Sequence, residues 1–162
     1  MNLKTPLWSP DKKQLEQANL TRFIKYVEES TGKKITDYET LYQWSIDEKE
    51  SFWSLLWDFC EIIGHKGDLV LVNGDDIEKA TWFPDATLNF AQNLLRERSD
   101  NTAITFKAED QLEYQLSFNE LYGQVAAVAA WLKKQGVVKG DRVAAYFPNM
   151  PETIVTMLAT TS

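Results

Sequence analysis

QLSFNELYGQVAAVAAWLKKQGVVKGDRVAAYFPNMPETIVTMLATTS, residues 115–162, lays out a helix, a turn, an apolar run and the start of another helix. Ser117 followed three residues later by Glu120 has the spacing of a capping box. From there Phe118, Leu121, Tyr122, Val125, Val128, Ala129 and Leu132 recur at helical intervals and form one apolar stripe. Gly136 stands where a helix ends on a left-handed residue. The turn Lys139-Gly140-Asp141 feeds an apolar run, Val143–Phe147, that is predicted to be a strand. Asn149 is predicted to cap the second helix, with Glu152 in its first turn. This grammar belongs to a sheet covered by helices, so the fold class is α/β.

Working back from that block, Asn101–Lys107 and Leu112–Leu116 read as a hairpin around Ala108-Glu109-Asp110. Everything before residue 100 is mostly helical. Ser9-Pro10-Asp11 starts a short helix running to Ala18. Asn19 caps the next, with Leu20, Phe23, Ile24 and Val27 on one face and Gly32 at its end. A third helix carries Tyr38, Leu41 and Trp44. Asp47–Glu50 has capping-box spacing and opens the most apolar helix of this half, from Phe52 to Ile63, which is predicted to be buried on several sides and closed by Gly64. Asp68–Asn73 is predicted to be a strand, Ala80–Pro84 a loop and Ala86–Arg98 a helix. The domain boundary is expected near residue 100, with helical residues 1–100 ahead of an α/β segment, 101–162.

With 44% hydrophobic residues, six tryptophans, six tyrosines and eight phenylalanines, 162 residues can bury a sizeable core. The net charge is −7, and residues 1–100 carry −6 of it. Such a chain is a poor electrostatic partner for nucleic acid or anionic membranes. One cysteine, Cys60, allows no internal disulfide, and Met1–Pro10 has no apolar leader core. A cytoplasmic location is expected, in which the sequon Asn19-Leu20-Thr21 is incidental.

No catalytic, cofactor-binding or metal-ligating residue is assigned from the residues themselves. Trp8, Trp44, Trp53, Trp57 and Trp82 fall at spacings that serve a core better than a stacking platform. His65 reads as a turn residue at a helix end, and Cys60 as an inert thiol on an apolar helix. Ser30-Thr31-Gly32-Lys33 resembles the end of a phosphate loop. That motif, however, needs glycine where Val27 stands and Ser or Thr where Lys34 stands. Asp75-Asp76 and Glu109-Asp110 are carboxylate pairs in turns, and Lys133-Lys134 complements a helix C-terminus.

Four stretches together resemble one family. "GDRVAAYFPNMPETIVTMLATTS" (Gly140–Ser162) and "LSFNELYGQVAAVAAWLKKQGV" (Leu116–Val137) are similar to the opening of the large domain of adenylate-forming acyl-CoA synthetases. "ATWFPDATLNFAQNLL" (Ala80–Leu95) and "PLWSPDKKQLEQANLTRFIKYVEESTG" (Pro6–Gly32) resemble the amino-terminal segment of that family's acetoacetate-activating branch. Asp85 stands where the branch usually shows glycine. The resemblance implies a ligase using ATP, Mg²⁺ and CoA to convert acetoacetate to its thioester, with AMP and pyrophosphate released. It also implies that the phosphate loop, ribose-binding aspartate, acyl pocket and mobile carboxy-terminal domain lie downstream of Ser162. The chain is therefore expected to be an inactive amino-terminal fragment. No cofactor is expected to bind it, its carboxylate substrate is held by the downstream domains, and its uncovered apolar surface is expected to drive self-association. Acetyl- and propionyl-activating enzymes are the alternative within the family. Outside it, the alternatives are a non-catalytic acidic helical interaction module and a small Rossmann-like binder, which would want glycines where Tyr146-Phe147-Pro148-Asn149 stands.

Overall fold

The computed structural model of the chain describes residues 8–109 and 112–162. Pro6 and Leu7 of the Pro6–Gly32 stretch, residues 1–7 of the segment read as lacking an apolar leader core, and Asp110 of the expected turn and carboxylate pair lie outside the described residues. The chain forms two compact units that meet in sequence at Ala86 and Thr87. Both helices and short strands occur among the described residues, as an α/β fragment should show.

The first unit opens with helices α1 (Lys12–Gln17), α2 (Asn19–Thr31), α3 (Tyr38–Asp47) and α4 (Lys49–Phe59). Asp11, not Ser9, caps α1, because Gln14 lies three residues on and closes a reciprocal box. Asp11 Oδ1 accepts from the Gln14 N–H at 2.7 Å, and Gln14 Oε1 accepts from the Asp11 N–H at 2.9 Å. Asn19 is the first residue of α2 rather than its cap; its side chain accepts from Arg22 Nη1 at 3.3 Å instead. Gly32 ends α2 at φ 70°, a left-handed conformation that glycine adopts without steric cost. The expected box at Asp47 does not form. Asp47 is the last residue of α3 and accepts from Gln43, while Glu48 at the junction is held by Lys33.

Phe23, Val27, Ile35, Leu41 and Trp44 are the buried centre of this unit, with Phe52, Leu55, Leu56 and Phe59 of α4 packed against them. Each aliphatic or aromatic side chain removed from water there contributes about 1.5–3 kcal/mol. Contrary to the sequence expectation, no residue of α4 is fully buried. One face of the helix meets the core; Trp53 and Trp57 on other faces turn to Trp82 and Phe83, which leaves Trp53 42% exposed. Nor does Gly64 close α4: Glu61, at φ 51°, reverses the chain first, and Gly64 falls in strand β1 (Gly64–His65). The strand expected over Asp68–Asn73 shrinks to β2 (Leu71–Val72), because Asn73 turns left-handed at φ 56°. β2 pairs antiparallel with β3 (Thr81–Trp82), inside the stretch expected to be a loop.

The second unit contains β4 (Thr87–Leu88), α5 (Phe90–Leu94), β5 (Thr102–Lys107), β6 (Glu113–Ser117), α6 (Phe118–Lys134) and α7 (Pro151–Thr160). The helix expected over Ala86–Arg98 is only the five residues of α5, capped by Asn89, whose side chain accepts from the Gln92 N–H at 2.8 Å. β5 and β6 form the expected antiparallel hairpin, with Ile104 opposite Leu116 and Phe106 opposite Tyr114. The capping box of α6 forms as read: the Ser117 N–H and hydroxyl both donate to Glu120, and Ser117 Oγ accepts from the Glu120 N–H. Leu121, Val125, Ala129 and Leu132 of its stripe are buried, together with Ala91 and Leu95 and with Val155, Leu158 and Ala159 of α7. Tyr122, also on the stripe, lies outside this core under the Arg98 guanidinium, 3.4 Å from its ring centre.

Two local expectations fail here. Asn149 does not cap α7; Met150 is the N-cap without a side-chain bond, and Pro151 takes the first helical position. Residues 143–147 form no strand. They are the apolar run the pattern described, but a strand exists only through inter-strand hydrogen bonds, and no described segment supplies a ladder. Val143, Tyr146 and Phe147 are accordingly exposed, at 37, 104 and 47%.

Candidate functional site

The aromatic residues form a packed network rather than a platform. Phe23 meets Phe52 edge-on at 5.6 Å and Phe59 at 5.1 Å, and Trp44 meets Phe52 at 5.9 Å. Phe52 continues to Trp53 at 5.4 Å, and Trp53 to Trp82 at 5.5 Å. These are tilted and edge-to-face geometries that favour ring packing. Trp8, at 72% exposure, takes no part in the network. A cavity of about 420 Å³ opens between α2, α3 and α4 over Phe23, Leu41, Phe52, Leu56, Phe59 and Cys60. Its walls are apolar and carry no acid–base pair. Cys60 is half-buried and His65 is exposed.

The charged groups serve the fold. Lys66 Nζ donates to both oxygens of Asp58, at 2.8 and 2.7 Å, and to Ser54 Oγ at 3.1 Å, clamping α4 to the loop beyond it. Nothing in the spacing of these residues announced the clamp. Lys33 donates to Glu48 at 2.6 Å and holds that carboxyl below its usual range. The N–H and hydroxyl of Thr40 do the same for Asp37 at the start of α3. Asp76 is lowered first by Lys79, 2.6 Å away, and then by the Glu78 N–H. Glu120 is lowered by the Ser117 N–H and hydroxyl. Tyr114 moves the other way, pushed up by burial and by the carboxylate of Glu152. Every shift thus has a cap, an ion pair or packing behind it.

The motif-like pieces are dispersed in the same manner. Thr31 Oγ1 donates to the Val27 carbonyl and accepts from the Lys33 N–H, so Ser30–Lys33 is a helix terminus and not a phosphate cradle. Among the described residues, no group of three or more His, Cys, Asp or Glu could hold a metal ion. In the second unit, Val143, Ala145 and Phe147 face Thr153, Thr156 and Met157 of α7 across a groove of about 320 Å³.

Comparison with known proteins accounts for this architecture. Residues 38–94 match the family described as acetyl-coenzyme A synthetase N-terminus, and residues 90–162 match AMP-binding enzyme. In these two stretches the chain is thus similar to the amino-terminal segment and the beginning of the AMP-binding domain of such enzymes. More narrowly, it is a homologue of the acetoacetyl-CoA synthetases, matching their amino-terminal region. It is 43% identical to acetoacetyl-coenzyme A synthetase of Rhizobium meliloti (strain 1021) over its whole length, which is 25% of that relative. It is 35% identical to acetoacetyl-CoA synthetase of Xenopus tropicalis, across 96% of this chain and 24% of the relative. The solved acetoacetyl-CoA synthetase from Streptomyces lividans superposes with a TM-score of 0.83 at 36% identity, covering 97% of this chain and 25% of that one. The chain spans about a quarter of the length of the relatives it matches. No helix among the described residues is long and apolar enough to cross a membrane.

Proposed function

We propose that this chain is the opening portion of an ATP-dependent acid–CoA ligase that converts acetoacetate, ATP and CoA to acetoacetyl-CoA, AMP and pyrophosphate. The observation that carries the reading is the identity with acetoacetyl-CoA synthetases along all 162 residues. ATP and CoA serve the whole enzyme, and Mg²⁺ neutralises the phosphates there. Residues 1–100 brace the structure as an amino-terminal helical segment, and residues 101–162 begin the adenylation domain. Packing is their contribution, so no catalytic, cofactor or metal role is assigned to any of them, and the 162 residues alone are inactive. The enzyme works in the cytoplasm. By itself the chain self-associates through the unpaired edge and uncovered apolar helix faces around residues 118–158.

The test is to read the gene beyond codon 162 and assay its complete product for AMP formation with acetoacetate, acetate and propionate. Preference for acetoacetate is expected. Preference for acetate or propionate would overturn the acyl assignment. A stop codon directly after Ser162, or no AMP with any acid, would overturn the ligase reading in favour of an interaction module. The 162-residue chain serves as the control; pyrophosphate release above a no-enzyme blank would refute its inactivity.

A further inference from the structure

We draw no further inference here: the strongest candidate, the open backbone edge of residues 143–147 and the apolar groove it forms with α7, is an unpartnered face for which nothing in the structure shows what covers it.

Discussion

Replacing Gly67 with alanine probes the tightest backbone approach in the first unit. Gly67 has φ +78°, and a Cβ built on it would lie 2.8 Å from Asp85 Cβ and 3.2 Å from the Asp85 carbonyl carbon. Two costs follow. The left-handed conformation costs an L-residue about 1–2 kcal/mol. Overpacking against a neighbour that is largely backbone adds about 1–3 kcal/mol. G67A should therefore lose about 2–5 kcal/mol, a large part of the stability of a small domain. Urea titration followed by tryptophan fluorescence reports on this unit, since Trp44, Trp53, Trp57 and Trp82 all lie within it. The double variant G67A/D85G separates the two costs, because D85G deletes the atom at 2.8 Å and leaves φ unchanged. G67A should cost less in the D85G background, approaching the backbone cost alone. A G67A midpoint matching the parent would refute both arguments. Equal losses in the two backgrounds would refute the steric one. The outcome also bears on the acidic residue at position 85: Gly67 leaves the room that the Asp85 side chain occupies.

Three further outcomes are expected. L158A, which truncates a side chain 2% exposed in the second core, should cost about 2–5 kcal/mol, whereas I154A, on the same helix at 41% exposure, should cost far less; thermal melts followed by circular dichroism compare them. S117A removes the cap of α6 and should cost about 1 kcal/mol at neutral pH. Because Glu120 is held below its usual range in the folded state, its contribution is present above the unfolded value of 4.5 and is lost as pH falls through the folded one; S117A keeps the residue-117 N–H and deletes only the hydroxyl, so it should make this acid limb somewhat shallower, and an unchanged limb would remove the hydroxyl as a cause. Sedimentation of the chain should show association that rises with concentration and weakens in Y146K, since Tyr146 is fully exposed and its loss disturbs no core; a monomer throughout the range would count against the uncovered surface as its driver.

Legibility in the sequence followed how local each determinant is. α6 could be read in full because its cap, stripe and terminal glycine lie within 20 consecutive residues, at the spacings the helix itself imposes. The β5–β6 hairpin was equally local. The caps of α1 and α7 were misplaced by one or two residues, where Ser, Pro, Asp, Asn and Met compete and the geometry of a single hydrogen bond decides. Residues 143–147 carried the composition of a strand, but pairing is a property of two segments, and only one is present among the described residues. α4 was over-read for a related reason: apolar residues on several faces require partners on several faces, and Trp53, although its ring pairs with Phe52 and Trp82, stays 42% exposed. For chemistry, no candidate residue had a second reactive group at a fixed interval, so the sequence assigned none of them a role; the structure sets Ser30–Lys33 at the end of α2, and His65, read as a turn residue, in strand β1.

The first core has a consequence for synthesis. Its five buried residues, Phe23 to Trp44, and the α4 face that covers them all lie before Cys60. The contacts that close it join neighbours in sequence, which is the arrangement that folds fastest. A ribosome adding about 5–20 residues each second completes α4 several seconds before it reaches α7. The amino-terminal helices can thus shelter their aromatic side chains while the rest of the polypeptide is still being made, and they do so without waiting for the apolar run at residues 143–147 to be translated.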